Sequence, residues 1–233
     1  MKTFFVFQVF CFIFAAKNPI RSMTQKEIII ERASKMFVAQ GVKAVRMDDI
    51  AQELSISKRT LYELFGDKEE LLYQSILYFL VKGQERRVEQ SKSVENSLEV
   101  MLINLRDMIA YAPLSSRIRT NLKRFYPSVF ERLESDARAN SFEDICRWVK
   151  RCVASGYFTK TADSDFVIKV LQDSVHGIMV MDKLESTDSV QLISRITYAL
   201  VIFIRGLCTP SGIAVIDTCF EKYFGNIPSI NTL

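Results

Sequence analysis

The stretch from Arg46 to Phe65 constrains the fold more than any other part of the chain. Apolar residues lie at helical spacing in its first half, and the same spacing returns after an interruption at Ser55 and Ile56. Ser57 then stands where a hydroxyl group can accept hydrogen bonds from the first backbone amides of a second helix. The stretch therefore predicts two short helices joined by a tight turn, which is the helix-turn-helix pattern.

A helix-turn-helix motif places the start of its second helix in the major groove of duplex DNA. In this sequence that first turn carries Lys58, Arg59 and Thr60. Arg59 is the best candidate for a bidentate contact to guanine, and Thr60 can touch a thymine methyl group or a phosphate. Glu63, on the exposed side of the helix, repels phosphates but can accept a hydrogen bond from N4 of cytosine.

Capping signals predict one helix before the motif and another after it. Thr24 with Glu27 forms a capping box, and Gly41 is suited to the left-handed residue that ends a helix. After the motif, Asp67 with Glu70 repeats the capping pattern at the start of a long helix that runs to about residue 90. The motif is thus expected to lie between two helices that support it.

The sequence resembles the TetR (TetR/AcrR) family of bacterial transcriptional regulators. The segments that carry the resemblance are 37–41, 49–51, 56–62 with Phe65, and 68–72. The resemblance implies an all-α fold, in which a three-helix DNA-binding domain is joined to a helical ligand-binding and dimerisation domain. It also implies a homodimer that binds a palindromic operator in double-stranded DNA, and a small-molecule inducer that changes the spacing of the two reading helices.

The resemblance also implies phosphate contacts from the Tyr62 hydroxyl, and Lys68 at the amino end of the next helix is expected to add another. The candidate DNA-binding residues are Arg46, Met47, Ser57, Lys58, Arg59, Thr60, Tyr62 and Lys68. Three positions depart from the family pattern: Arg46, Ser55 and Glu63. Arg46 replaces the usual Ser or Thr cap, and Ser55 replaces a common glycine, so that a left-handed backbone there costs roughly 1 kcal/mol relative to glycine.

Three segments are expected along the chain: a leader at 1–22, the DNA-binding domain at 23–83, and a helical regulatory domain at 84–233. The leader has the charged start, apolar run and small residues of a secretory signal. An exported DNA-binding protein is not expected, so a start assigned too far upstream, with Met23 as the initiator, is preferred. A membrane-tethered regulator remains an alternative.

The regulatory segment predicts further helices and no strand. A helix is expected from Leu98 to Ala112, with Pro113 ending it, and another from Pro127 to Gly156. Helices are also expected at about 164–184, 188–207 and 213–224, with a loop at 209–212.

Apolar side chains of this segment suggest two roles. A dimer interface is predicted from the helices that carry Phe166, Val170, Ile178, Ile193, Ile196, Leu200 and Phe203. A ligand pocket is suggested by Met101, Leu105, Met108, Tyr111, Phe142, Trp148, His176 and Met179. Ordinary core packing is the alternative for both sets.

Composition argues against other classes. A single histidine and five cysteines without a C-x-x-C pair suggest no metal site and no disulfide framework, and no cofactor is expected. No combination of nucleophile and base is legible, so an enzyme is not expected. The net charge of +4 permits DNA binding without arguing for it. A cytoplasmic regulator is therefore expected, and the alternative is a helical adaptor that binds proteins.

Overall fold

A computed structural model describes residues 23–91, 94, 96–160, 165–167, 169–170 and 189–225, which do not include the predicted leader. The helices are α1 (Gln25–Gln40), α2 (Met47–Glu53), α3 (Lys58–Phe65), α4 (Lys68–Ser91), α5 (Ser97–Phe125), α6 (Pro127–Ala154), α7 (Ser189–Leu207) and α8 (Pro210–Phe224). Among the described residues, extended backbone pairs at one isolated bridge, between Phe158 and Cys208. The fold is all-α, as predicted.

Helix α1 begins and ends where its capping residues predict. The Thr24 hydroxyl accepts a hydrogen bond from the Glu27 amide at 3.3 Å, and the Glu27 carboxylate accepts one from the Thr24 amide at 2.7 Å. At the other end Gly41 has φ 99°, and its amide donates to the Phe37 carbonyl. Both ends of the helix therefore follow from local sequence.

The chain forms two compact units. We call the first the head; its described residues are 23–86 and 114–136. We call the second the body, which contains the remaining described residues. The first segment of the head ends close to the predicted boundary at residue 83. Its second segment comes from α5 and α6, which a boundary drawn along the sequence does not include.

Polar contacts within the head attach the start of α6 to α4. The Ser128 hydroxyl donates to the Glu69 carboxylate at 2.6 Å, and the Arg132 guanidinium donates to Glu70 at 2.5 Å. The pKa of Glu70 lies below its usual value, because the hydrogen bonds and charge of its neighbours outweigh its partial burial. These contacts hold the side of α4 that carries Glu69 and Glu70 against the start of α6.

The predicted end of a helix at Pro113 is wrong, because α5 continues through it to Phe125. Proline inside a helix removes one backbone hydrogen bond and costs about 3 kcal/mol. Ile118 and Leu122, beyond the proline, are buried in the head. Burial of each contributes about 1.5–3 kcal/mol, which is enough to offset the loss. Pro113 itself is exposed, so its ring is accommodated at the surface.

The loop predicted at 209–212 is also wrong, because α8 begins at Pro210. The Thr209 hydroxyl caps the helix by accepting from the Gly212 amide at 3.3 Å, and the proline occupies the first turn, where no amide hydrogen is needed. A Cβ atom on Gly212 would lie 2.3 Å from the Tyr157 carbonyl oxygen. This glycine is therefore required by close packing, not by a turn.

Three residues of the suggested ligand pocket lie in the core of the body. Met101, Leu105 and Trp148 are almost fully buried, and the Trp148 indole donates to the Ser97 carbonyl at 3.0 Å. Tyr111 is instead 40% exposed. The first three residues have the burial that core packing requires and Tyr111 lies at the surface, and the ligand pocket stays a prediction. Of the other pocket residues, Met108 and Phe142 lie in α5 and α6, whose backbone alone is described at these two positions, and His176 and Met179 lie outside the described residues.

The assignment of Ile193, Ile196 and Leu200 to a dimer surface requires correction, because all three are buried within the body of the same chain. Phe203, which lies on the same side of α7 as Ile196 and Leu200, is half-buried against that core. Among the α7 side chains that the structure describes, the large apolar ones that remain exposed are Tyr198 and Ile202. Of the other predicted interface residues, Phe166 is 66% exposed, Val170 is half-buried, and Ile178 lies outside the described residues.

Candidate nucleic-acid interface

Helices α2 and α3 pack together through their apolar sides. Ile50 and Leu61 are completely buried, and Ala51 and Phe65 are nearly so. The Ile56 amide donates to the Ala51 carbonyl at 3.0 Å and thereby fixes the connecting turn. Burial of each large apolar side chain contributes about 1.5–3 kcal/mol, so the motif is held as one packed unit. The opposite side of α3 faces solvent.

The turn between the helices has the predicted backbone. Ser55 has φ 53°, which confirms the left-handed conformation expected at this position. Ser57 caps α3, because its hydroxyl accepts from the Thr60 amide at 3.0 Å and also lies 2.8 Å from the Thr60 hydroxyl. Thr60 is therefore partly occupied by the cap, and its methyl group is the part that remains for a base contact.

Arg59 and Glu63 form the outward ridge of α3. At about 100° per residue, both lie on the side of the helix opposite to Leu61 and Phe65. The side chains of Arg59 and Glu63 are 87% and 58% exposed. Tyr62 is beside them and 44% exposed, so its ring covers part of the domain and leaves the hydroxyl accessible. A helix entering the major groove would present this ridge to the bases.

Carboxylates accompany both cations of the α3 first turn. Lys58 Nζ lies 2.9 Å from a carboxylate oxygen of Asp48, and Arg59 Nε donates to Glu63 Oε1 at 2.7 Å. The hydrogen bond and charge of Asp48 raise the pKa of Lys58, so the ammonium stays protonated. The first of these pairs links α3 to α2, whereas the second lies within one helix. The ridge therefore carries little net positive charge.

Two of the predicted DNA-contact residues, Met47 and Lys68, contact the interior of the head instead of facing solvent fully. Met47 is only 5% exposed and belongs to the core, so its assignment to the DNA surface is corrected. The Lys68 ammonium donates to the Val42 carbonyl at 3.0 Å and lies 5.1 Å from the centre of the Tyr126 ring. It is directed toward the domain, where it braces neighbouring segments. A phosphate contact from Lys68 would use its other two amine hydrogens.

The α2 amino end shows contacts that sequence reasoning missed. Arg46 is exposed and extended, and its amide donates to the Asp49 carboxylate at 2.7 Å. This hydrogen bond is the carboxylate half of a capping box, and it is present although the Arg46 side chain does not cap the α2 amides. Two sequence spacings predict these contacts: Asp49 follows Arg46 by three residues, and Glu63 follows Arg59 by four. The Asp48 contact to Lys58 has no such signal, since it joins two helices.

The described residues offer few other features for a site. No group of three or more His, Cys, Asp or Glu side chains in this part of the chain lies close enough to hold a metal ion. No helix within the described ranges has the length and apolarity to cross a membrane.

A capped, exposed second helix packed on a buried first helix defines a helix-turn-helix protein. Residues 29–74 match the family described as "Bacterial regulatory proteins, tetR family". Since this match covers most of α1, the whole motif and the start of α4, it coincides with the geometry described above. Over residues 29–74 the chain is therefore similar to the TetR family.

Curated relatives are also similar to part of the chain. The chain is 34% identical over 70 residues to a protein of Bacillus subtilis named "Uncharacterized HTH-type transcriptional regulator YhgD", covering 30% of this chain and 36% of that protein. It is 28% identical over 119 residues to an HTH-type transcriptional regulator of Staphylococcus aureus, covering 47% of this chain and 62% of the relative. The chain thus spans about one third to three fifths of these relatives.

Solved structures extend the likeness in fold beyond the head. A TetR-family transcriptional regulator from Pectobacterium atrosepticum has a TM-score of 0.56 at 22% identity, covering 79% of this chain and 94% of its own. A TetR-family regulator from Cytophaga hutchinsonii has a TM-score of 0.59 at 14% identity, covering 81% and 99%. A putative regulator from Saccharomonospora viridis, solved in complex with choline, has a TM-score of 0.52 at 19% identity, covering 77% and 95%.

Proposed function

We propose that the protein is a DNA-binding transcriptional regulator that reads duplex DNA with α3. The single observation that carries the proposal is the outward ridge of α3, where Arg59 and Tyr62 are exposed on a helix whose other side is fixed by buried Leu61 and Phe65. A recognition helix requires one side that packs against its domain and an opposite, exposed polar side that can contact bases. Bacterial DNA lies in the cytoplasm, so we propose that the protein acts there.

We further propose that it binds a palindromic operator as a homodimer. A two-helix motif offers a short row of base contacts, and two copies separated by one turn of DNA, about 34–36 Å, double that row. Exposed Tyr198 and Ile202, which are four residues apart on α7, support a self-association surface in the body, because apolar side chains that form a contiguous exposed patch indicate an interaction site.

Selection of bound sequences from random duplex DNA tests the proposal directly. The expected result is enrichment of a motif with two-fold symmetry. Arg59→Ala and Tyr62→Phe should then weaken binding to the enriched duplex, while Lys35→Ala serves as a control because that exposed lysine lies on α1, where it pairs with Glu31. Circular dichroism checks that each variant is folded. Equal binding by all three variants would mean that α3 does not read the DNA, whereas failure to enrich any sequence would favour a helical adaptor.

Regulation by a small molecule forms the finer part of the proposal. We propose a repressor whose inducer binds the body and shifts the population toward a form with lower DNA affinity. Support comes from the resemblance to the TetR family, and from a structural neighbour that was solved in complex with choline. Release of the selected duplex on addition of candidate compounds, followed by fluorescence anisotropy, would identify an inducer.

A further inference from the structure

We infer that Glu63 is a specificity-determining residue: together with Arg59 it reads a guanine and a neighbouring cytosine, and it weakens attraction to the phosphate backbone. The inference rests on the DNA-binding function proposed above. It follows from the position of Glu63 on the ridge of α3 and from its contact with the arginine one turn earlier.

Position is the first step. Glu63 and Arg59 point away from the buried side of α3 more directly than the other residues of the helix, and both are more than half exposed. A helix that enters the major groove brings this ridge closest to the base edges. A carboxylate at the edge of the DNA-contact surface would face phosphates only. Glu63 lies on the ridge instead, where a side chain can reach base edges.

Contact geometry is the second step. The pair joins Arg59 Nε to Glu63 Oε1 at 2.7 Å, so both terminal nitrogens of the guanidinium are left for a base. The second carboxylate oxygen, Oε2, is likewise left to accept. A guanidinium donates two hydrogen bonds to O6 and N7 of guanine, and a carboxylate accepts one from N4 of cytosine. The two side chains, about one helical turn apart, reach base pairs about one or two steps apart.

Charge is the third step. Binding without sequence preference depends on neutralised phosphates, and each one contributes about −0.9 to the slope of log affinity against log salt. Glu63 neutralises Arg59, and Asp48 neutralises Lys58. Duplexes without the matching bases therefore gain little from these two cations. A matching guanine and cytosine satisfy both members of the Arg59 and Glu63 pair at once, so the preference for the right sequence increases.

The experiment uses the full chain, the duplex obtained by selection, and variants of that duplex changed at each position. For the wild type, replacing the cytosine read by Glu63 in both half-sites should lower affinity at least about fivefold. In Glu63→Gln, affinity for unrelated duplexes should rise about tenfold at low salt, and the salt slope should steepen by about 0.9 per protomer. The preference for cytosine should disappear or move to adenine, which a glutamine amide reads.

Asp48→Asn is the matched control, since it also removes one carboxylate that partners a cation of the first turn. It should raise affinity for all duplexes by a similar factor and leave the cytosine preference unchanged. If Glu63→Gln behaved in the same way as Asp48→Asn, Glu63 would be only a charge and the inference would be overturned. A wild-type protein that selects no duplex at all would instead overturn the proposed function itself.

Discussion

Replacing Ser55 with glycine should stabilise the head, because Ser55 holds a left-handed backbone at φ 53° in the turn between α2 and α3. In that conformation Cβ approaches the following carbonyl oxygen, which costs about 1–2 kcal/mol. Glycine avoids this cost but loses more backbone entropy on folding, by about 0.5–1 kcal/mol. The difference predicts a gain of about 0.5–1 kcal/mol in the free energy of unfolding.

Other effects of this substitution are small. Ser55 is exposed, and its recorded contact within the described part of the chain is the backbone bond from its amide to the Gln52 carbonyl, which glycine retains. The hydroxyl group is therefore not expected to contribute a term that masks the backbone effect. For a chain of this size the gain corresponds to a rise of about 1–4 °C in melting temperature.

Thermal and urea unfolding followed by circular dichroism would measure the change. Ala44→Gly is the matched control, since Ala44 is an exposed turn residue of the same unit and does not have a positive φ. Glycine there should lower stability by about 0.5–1 kcal/mol, the entropic cost alone. If Ser55→Gly were destabilising by as much as Ala44→Gly, the left-handed turn would not exist in solution.

Three further predictions concern the body. Gly212→Ala should destabilise by about 1–3 kcal/mol in urea unfolding, because the added Cβ would lie 2.3 Å from the Tyr157 carbonyl oxygen, and unchanged stability would refute that close approach. Ile202→Lys should yield a monomer in equilibrium sedimentation at micromolar concentration, and a persistent dimer would remove that side of α7 from the interface. Hydrogen bonds from Tyr223 and Lys222 lower the pKa of Glu99 below its ordinary 4.5. The ionised Glu99 carboxylate therefore stabilises the fold above pH 4.5, and this contribution is lost as the pH falls further. Glu99→Gln should weaken the fall in stability below pH 4.5, and an unchanged acid profile would contradict this role.

Local signals predicted the first segment of the head, residues 23–86, almost completely. The capping box of Thr24 with Glu27, the glycine at 41 and the Ser57 cap act within four residues, so sequence alone places the ends of these helices. The left-handed Ser55 follows from its place in the turn. Buried Leu61 and Phe65, opposite exposed Arg59, follow from helical periodicity.

Tertiary packing explains what sequence reasoning missed. Pro113 should end a helix by its own chemistry, but burial of Ile118 and Leu122 beyond it outweighs the lost hydrogen bond. The sequence pattern places Gly212 in a loop, but its role is to let α8 approach the Tyr157 carbonyl. The continuation of α5 and the close approach at Gly212 both depend on contacts between residues that are distant in sequence, and sequence periodicity does not report such contacts.

The two apolar sides of α7 show the same limit. Sequence periodicity identifies both the stripe with Ile196 and Leu200 and the stripe with Tyr198 and Ile202, but it does not say which one the chain buries itself. The structure buries the first in the body and exposes the second. Within the motif, Asp48 pairs with Lys58 across two helices, so its part in the charge of the site becomes visible only in three dimensions.

Entry of α3 into the major groove is most directly tested by methylation interference on the selected duplex. Methyl groups placed on N7 of guanine project into the major groove, whereas those on N3 of adenine project into the minor groove. We predict that N7 methylation of one guanine in each half-site abolishes binding, and that Arg59→Ala removes this sensitivity at the same guanine. Binding that tolerates every N7 methyl group but fails with N3 methylation would contradict the account.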